Sequence, residues 1–100
     1  MLFRSQKVHG WILTAMKAEK PWGKPQRLDP PAAERLSELD IPTLVLIGQA
    51  DEPGSVLAER HLASSVAGAQ VVEFPGVAHM IQLEEPERFN ELVLEFLAGV

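Results

Sequence analysis

Cysteine is missing altogether from the 100 residues, which excludes a disulfide framework and a thiolate metal site and fits a reducing, cytoplasmic setting. Apolar runs stop at about five residues, far short of the ~20 that a membrane-spanning helix needs. No positively charged start leads into an apolar core of roughly 7–15 residues, so no secretory signal is read. There are 3 histidines, and no two stand at a ligand spacing. A metal held by His79 with Asp51 and Glu84 therefore has little behind it, and no cofactor is implied. Internal repeats, low-complexity tracts and nucleic-acid-binding signatures are also absent.

The composition, 46% hydrophobic and 23% charged, is that of a soluble globular chain of one small domain or of a piece of a larger one. Its net charge of −5 hides an asymmetry. Up to Arg27, six bases (Arg4, Lys7, Lys17, Lys20, Lys24, Arg27) face the single acid Glu19. From Leu28 onward, three bases (Arg35, Arg60, Arg88) face thirteen acids. The chain accordingly divides into residues 1–28, a basic amphipathic helix with a Pro/Trp linker, and residues 29–100.

Val8, Trp11, Ile12, Ala15 and Met16 follow the i, i+3, i+4, i+7, i+8 spacing of one helix face, predicting a helix over Ser5–Lys20 that Pro21 ends. A basic amphipathic helix suits a membrane surface or a docking site, and an acid-poor start faintly resembles a transit peptide. The simpler reading packs Trp11, Ile12 and Met16 onto the rest of the fold. Prolines around Trp22 and at Pro30-Pro31 punctuate a linker. Trp22 then plugs a surface groove or lines a binding site. Asp29 is expected to cap a short helix running to about Leu39, with Leu36 and Leu39 on its buried side.

Thr43–Ile47, between Pro42 and Gly48, reads as a strand buried on both faces of a parallel sheet. Ser55 is the expected cap of a following helix whose stripe is Ala58, Leu62 and Val66 and which ends at Gly68. His61, one position off that stripe, reads as a surface residue. Gln70–Phe74 is a second strand, stopped by Pro75-Gly76. Strand, helix and strand in this order form a right-handed βαβ unit with parallel strands. Asp51 and His79 therefore leave the sheet at one edge, the carboxyl-end edge where α/β chemistry collects. A carboxylate beside an imidazole at that place is the acid and base of a hydrolytic site. Otherwise Asp51 is a turn-forming aspartate and His79 a loop histidine bonded to backbone. Glu52 is the rival carboxylate. Glu84 and Glu85 read as helix-start charges, or as a glutamate orienting the His79 loop. The last helix, opened by Pro86 and ended by Gly99, presents Phe89, Leu92, Val93, Phe96 and Leu97. Each large side chain buried there contributes about 1.5–3 kcal/mol.

The run Arg35-Leu-x-x-Leu-x-x-Pro-Thr-Leu-Val-Leu-x-Gly48-x-x-Asp51, then Gly68-Ala-x-x-Val72, Pro75-Gly-x-Ala-His79-Met, Glu84-x-Pro-Glu-x-Phe89-Asn and Phe96-Leu resembles the C-terminal third of an α/β-hydrolase. The resemblance implies a partial α/β-hydrolase fold, with the seventh and eighth strands and the final helix. It puts Asp51 in the triad acid position, His79 in the base position and the N-terminal helix in place of the last lid helix. The family's nucleophile elbow, G-x-S-x-G, precedes acid and base in chain order. None occurs here, and none of Ser5, Ser37, Ser55, Ser64 and Ser65 stands at such an elbow.

The resemblance thus implies the acid-and-base end of a serine-type hydrolase of small-molecule esters or related acyl bonds, without hydrolytic activity by itself. A two-stranded parallel sheet cannot cover its own edges. The chain is therefore expected to take up a complementing N-terminal segment. The alternative is a non-catalytic interaction module that dimerises through the open strand or docks through its basic helix.

Overall fold

The computed structural model describes residues 5–18 and 23–100. The elements that position the site are two strands and the helices packed on them: β1 (Leu44–Gly48) and β2 (Gln70–Phe74), with α2 (Pro53–Ser65) crossing between them. The strands pair in parallel with Leu44 opposite Gln70 and Gly48 opposite Phe74. This is the expected βαβ unit, and its β1 starts and ends one residue later than the apolar run suggests. Thr43 still takes part, its carbonyl accepting from the Gln70 N–H at 2.9 Å.

Each face of this sheet is covered by a different helix layer. Val45 and Ile47 point to one side and bury against Val56, with Leu62 and Ala63 of α2 beside them. On the other side Phe74, Val77 and Ile81 form a core that Leu46, Val72, Phe89 and Leu92 partly close. Ile81 belongs to α3 (Ile81–Glu84), a single turn that no sequence signal marks, and the chain then continues into α4 (Pro86–Ala98). The expected face of α4 is only half realised: the helix has no fully buried residue, and Leu97 is 55% exposed.

Three other local expectations change. The N-terminal helix α1 is Gln6–Lys17, with the Ser5 hydroxyl accepting from the Val8 N–H. Residues 19–22, and with them Pro21, Trp22 and the predicted last turn, lie outside the described residues. Only Val8 of the apolar stripe is buried, whereas Trp11 and Met16 stand out in solvent. The helix expected after Asp29 is instead two short 3₁₀ turns, Ala32–Glu34 and Leu36–Glu38. Arg35 leaves helical geometry between them (φ −117°, ψ 12°) and Leu39 is exposed. Finally, α2 begins at Pro53 with Glu52 as its cap, three residues before the expected Ser55. Pro53 suits the first helical position because its missing N–H would have no partner there. Leu62 and Val66 of the expected stripe lie inward together with Val56 and Ala63, whereas Ala58 is exposed.

Gly48 sits where the two loops leaving the sheet touch. A Cβ at this position would overlap the Ala78 carbonyl and lie 2.7 Å from the Val77 carbonyl oxygen. Both obstacles are backbone, so a side chain here has to push the His79 loop away. Gly48→Ala is expected to lower stability by about 1–3 kcal/mol, read by denaturant unfolding, and to shift the backbone amide resonances of residues 77–79.

Candidate functional site

The loops after β1 and β2 are tied to each other before any side chain is considered. Gln49 N–H donates to the Phe74 carbonyl at 3.1 Å and Ala50 N–H to the Val77 carbonyl at 2.9 Å. Gly76, at φ +72°, turns the chain out of β2 and drops Val77 and Ala78 into buried positions. Asp51 and His79 consequently face each other across the sheet edge. His79 Nδ1 lies 2.8 Å from Asp51 Oδ2.

Asp51 is the buried charged residue of the described chain, at 7% exposure. Its other oxygen, Oδ1, accepts the Glu52 N–H at 2.8 Å, and the N-terminus of α2 adds a favourable dipole for a negative group. A carboxylate at Oδ2 is an acceptor, so the proton of the contact belongs on Nδ1. Nε2 is thereby left as the basic nitrogen, on a side chain that is 55% exposed. The arrangement holds an imidazole in one tautomer with its reactive nitrogen open. Glu52, the rival carboxylate, lends its backbone N–H to Asp51.

The His79 loop is held from a second side by Glu84. Its Oε2 accepts the Ala78 N–H at 2.8 Å, and its Oε1 accepts the Ser5 N–H at 2.8 Å. Val8 and Ala78 bury together, with Ile12 and Met80 alongside. So α1 rests directly on the residues flanking His79, and Glu84 is the loop-orienting glutamate rather than a helix-start charge. The first turn of α4 already has Glu87, and that surplus of acids was the available hint.

Glu59 escaped the sequence reading because the expected stripe of α2 took Ala58 rather than its neighbour as the inner residue one turn before Leu62. It is half-buried, and one oxygen of Glu59, one oxygen of Asp51 and a ring nitrogen of His79 lie within 4.8 Å of one another. Burial, and then the Asp51 charge, push the Glu59 carboxyl above its ordinary range, with His79 partly offsetting them. These three are also the described residues whose chemistry could hold a metal. His79 Nδ1 and Asp51 Oδ2 are already engaged with each other. Glu84 is committed to backbone N–H groups and joins no such set.

No family model matches the chain. A 2-hydroxy-6-oxononadienedioate/2-hydroxy-6-oxononatrienedioate hydrolase of Klebsiella pneumoniae is 35% identical over 69 residues, 69% of this chain and 24% of that protein. Among solved structures, an N-acyl homoserine lactone degrading enzyme is 38% identical with a TM-score of 0.62, covering 66% of this chain and 26% of its own. MenH from S. aureus is 28% identical with a TM-score of 0.64, over 70% and 26% of the two chains. The chain spans about a quarter of the length of the curated relatives it matches.

Two stability outcomes follow from the carboxylates. Glu84→Ala strips the acceptor from the buried Ala78 N–H and should cost about 1–3 kcal/mol, with faster hydrogen exchange at Ala78. The Glu59 carboxyl is held above its unfolded value, so the folded chain binds that proton more tightly. The stability this adds is present at low pH and is lost as pH rises through the folded pKa. Glu59→Gln should therefore raise the Tm at neutral pH and leave it unchanged near pH 3, where the carboxyl is protonated in both states.

Proposed function

The chain belongs to the α/β-hydrolase family, aligned with the C-terminal quarter of its relatives, and from that premise we propose that Asp51 and His79 are the acid and base of a serine-hydrolase triad. The observation that carries the proposal is the 2.8 Å contact between a buried Asp51 oxygen and Nδ1 of a half-exposed His79. In this reading Nε2 takes the proton of a serine hydroxyl as the oxygen attacks a carbonyl carbon. Asp51 stabilises the imidazolium that forms, and His79 returns the proton to the leaving group. It then draws a proton from the water that releases the acyl group. The nucleophile and the oxyanion-hole donors come from outside these 100 residues.

The open edge of β1 favours this division of labour. The two-stranded sheet has the order β1–β2, so among the described residues one side of β1 has no strand beside it. Leu94 and Leu97 of α4 and Ile41 before β1 remain exposed. A complementing N-terminal segment that extends the sheet would cover apolar surface of this kind. A non-catalytic module pairing with a second copy would use the same edge, but it gives no reason for a buried carboxylate beside His79. The substrate class we propose is a small molecule with a carbonyl carbon in an ester or related acyl bond. The lactone degraded by one similar enzyme contains such a carbon, and the oxo-dioate of another offers a ketone carbonyl instead. The cytoplasm is the setting that the cysteine-free composition suits.

The test is complementation. The 100-residue chain is co-expressed with the preceding three-quarters of a related hydrolase, including its G-x-S-x-G elbow, and assayed on a p-nitrophenyl ester. Hydrolysis should appear only when both parts are present. His79→Ala should lower the recovered kcat by about 10⁵–10⁶ and Asp51→Asn by about 10⁴. Activity that survives His79→Ala, or a stable complex without hydrolysis, would overturn the proposal.

A further inference from the structure

Glu59 is a carboxylate that the proton transfers above leave unused. Its Oε2 is shut off from water and has no hydrogen-bond partner, an arrangement that costs stability unless a nearby charge compensates it. Arg60, the next residue on α2, is turned away and bonds Glu73 on β2 at 2.6 Å. The charged groups that bear on Glu59 are Asp51, from the end of β1, and His79, from the loop after β2. Two carboxylates thus converge on one group able to carry positive charge, within 4.8 Å.

Asp51 has little freedom: its side chain is 2% exposed and Oδ1 is fixed by the Glu52 N–H. Glu59 has one more methylene and stands on the next element. The gap of at most 4.8 Å exceeds a hydrogen bond of about 3 Å by less than about 2 Å, a distance on the scale that side-chain torsions cover. We infer that Glu59 is a positioning residue, a second carboxylate that shares with Asp51 the hold on the His79 ring and takes over Nδ1 when Asp51 is lost. A protonated His79 then faces two negative groups rather than one, and the attraction is stronger where water is scarce. The catalytic meaning of this hold rests on the triad reading. The ring's orientation itself is a property of the chain as it stands.

The experiment is ¹⁵N NMR of the histidine-labelled full chain at alkaline pH, where the neutral ring reports its tautomer. Wild type and Glu59→Gln should both show His79 with the proton on Nδ1. Asp51→Ala should keep that tautomer as the majority form, because Glu59 accepts the bond. The double variant Asp51→Ala with Glu59→Gln should revert to the Nε2–H form that free imidazole favours. Reversion in Asp51→Ala alone would overturn the inference. Should Asp51→Ala not fold, the titration of the Glu59 carboxyl carbon in wild type and His79→Ala decides instead. Removing His79 should move that titration to still higher pH, and an unmoved curve would overturn the inference. Failure of the complementation assay with the tautomer pattern intact would reject the triad and leave the Glu59 hold standing.

Discussion

Parallel pairing of β1 with β2 is the constraint on which the rest of the molecule depends. Two strands running the same way, joined by a crossover helix, must release their chains at the same sheet edge. Residues 28 positions apart, Asp51 and His79, therefore meet without any loop having to reach. The backbone reinforces this through the Ala50–Val77 hydrogen bond and through the absence of a side chain at Gly48, which lets the second loop lie against the first. The side-chain contact then forms on a scaffold that main-chain bonds have already closed.

A buried carboxylate is unfavourable in isolation, and the local structure answers that cost at Asp51 three ways: the Glu52 N–H, the positive end of α2 and the imidazole. Glu59 has received less compensation. Its orphaned oxygen and raised pKa mark a position where burial works against folding. Such tension near a chemically competent pair is the usual mark of a site selected for something besides stability. The uneven cover of the sheet tells a parallel story. Ile47, Phe74 and Val77 are fully enclosed, whereas Leu94 and Leu97 of α4 and Val71 on β2 are largely open. The enclosed residues lie at the carboxyl end of the strands, so the small core is concentrated beneath the Asp51–His79 pair.

Local readings of the sequence succeeded where one force dominated. Gln70–Phe74 is bounded by Gly68 and by Pro75-Gly76, and α4 opens at Pro86. In each case backbone restriction leaves little choice. They failed where neighbours decide. Asp29 and two prolines suggest a capped helix, yet the segment has little to pack on and settles into 3₁₀ turns. Trp11 and Met16 have the spacing of a buried face, but only Val8 and Ile12 find apolar partners, beside the His79 loop. Taking Ala58 as the inner residue of α2 was enough to hide Glu59, which is the one that shares a face with Leu62 and Val66.

The sequence by itself determined the order of elements, the parallel βαβ unit and the pair of residues delivered to its edge, because strand period, proline and glycine act over a few residues. Tertiary structure alone decided what surrounds that pair. Glu84 reaches back to the Ala78 and Ser5 amides, Glu59 turns inward beside Asp51, and α1 settles on the residues next to His79. Each of these depends on a helix rotation or on contact between segments far apart in the chain, and no local pattern of residues encodes either.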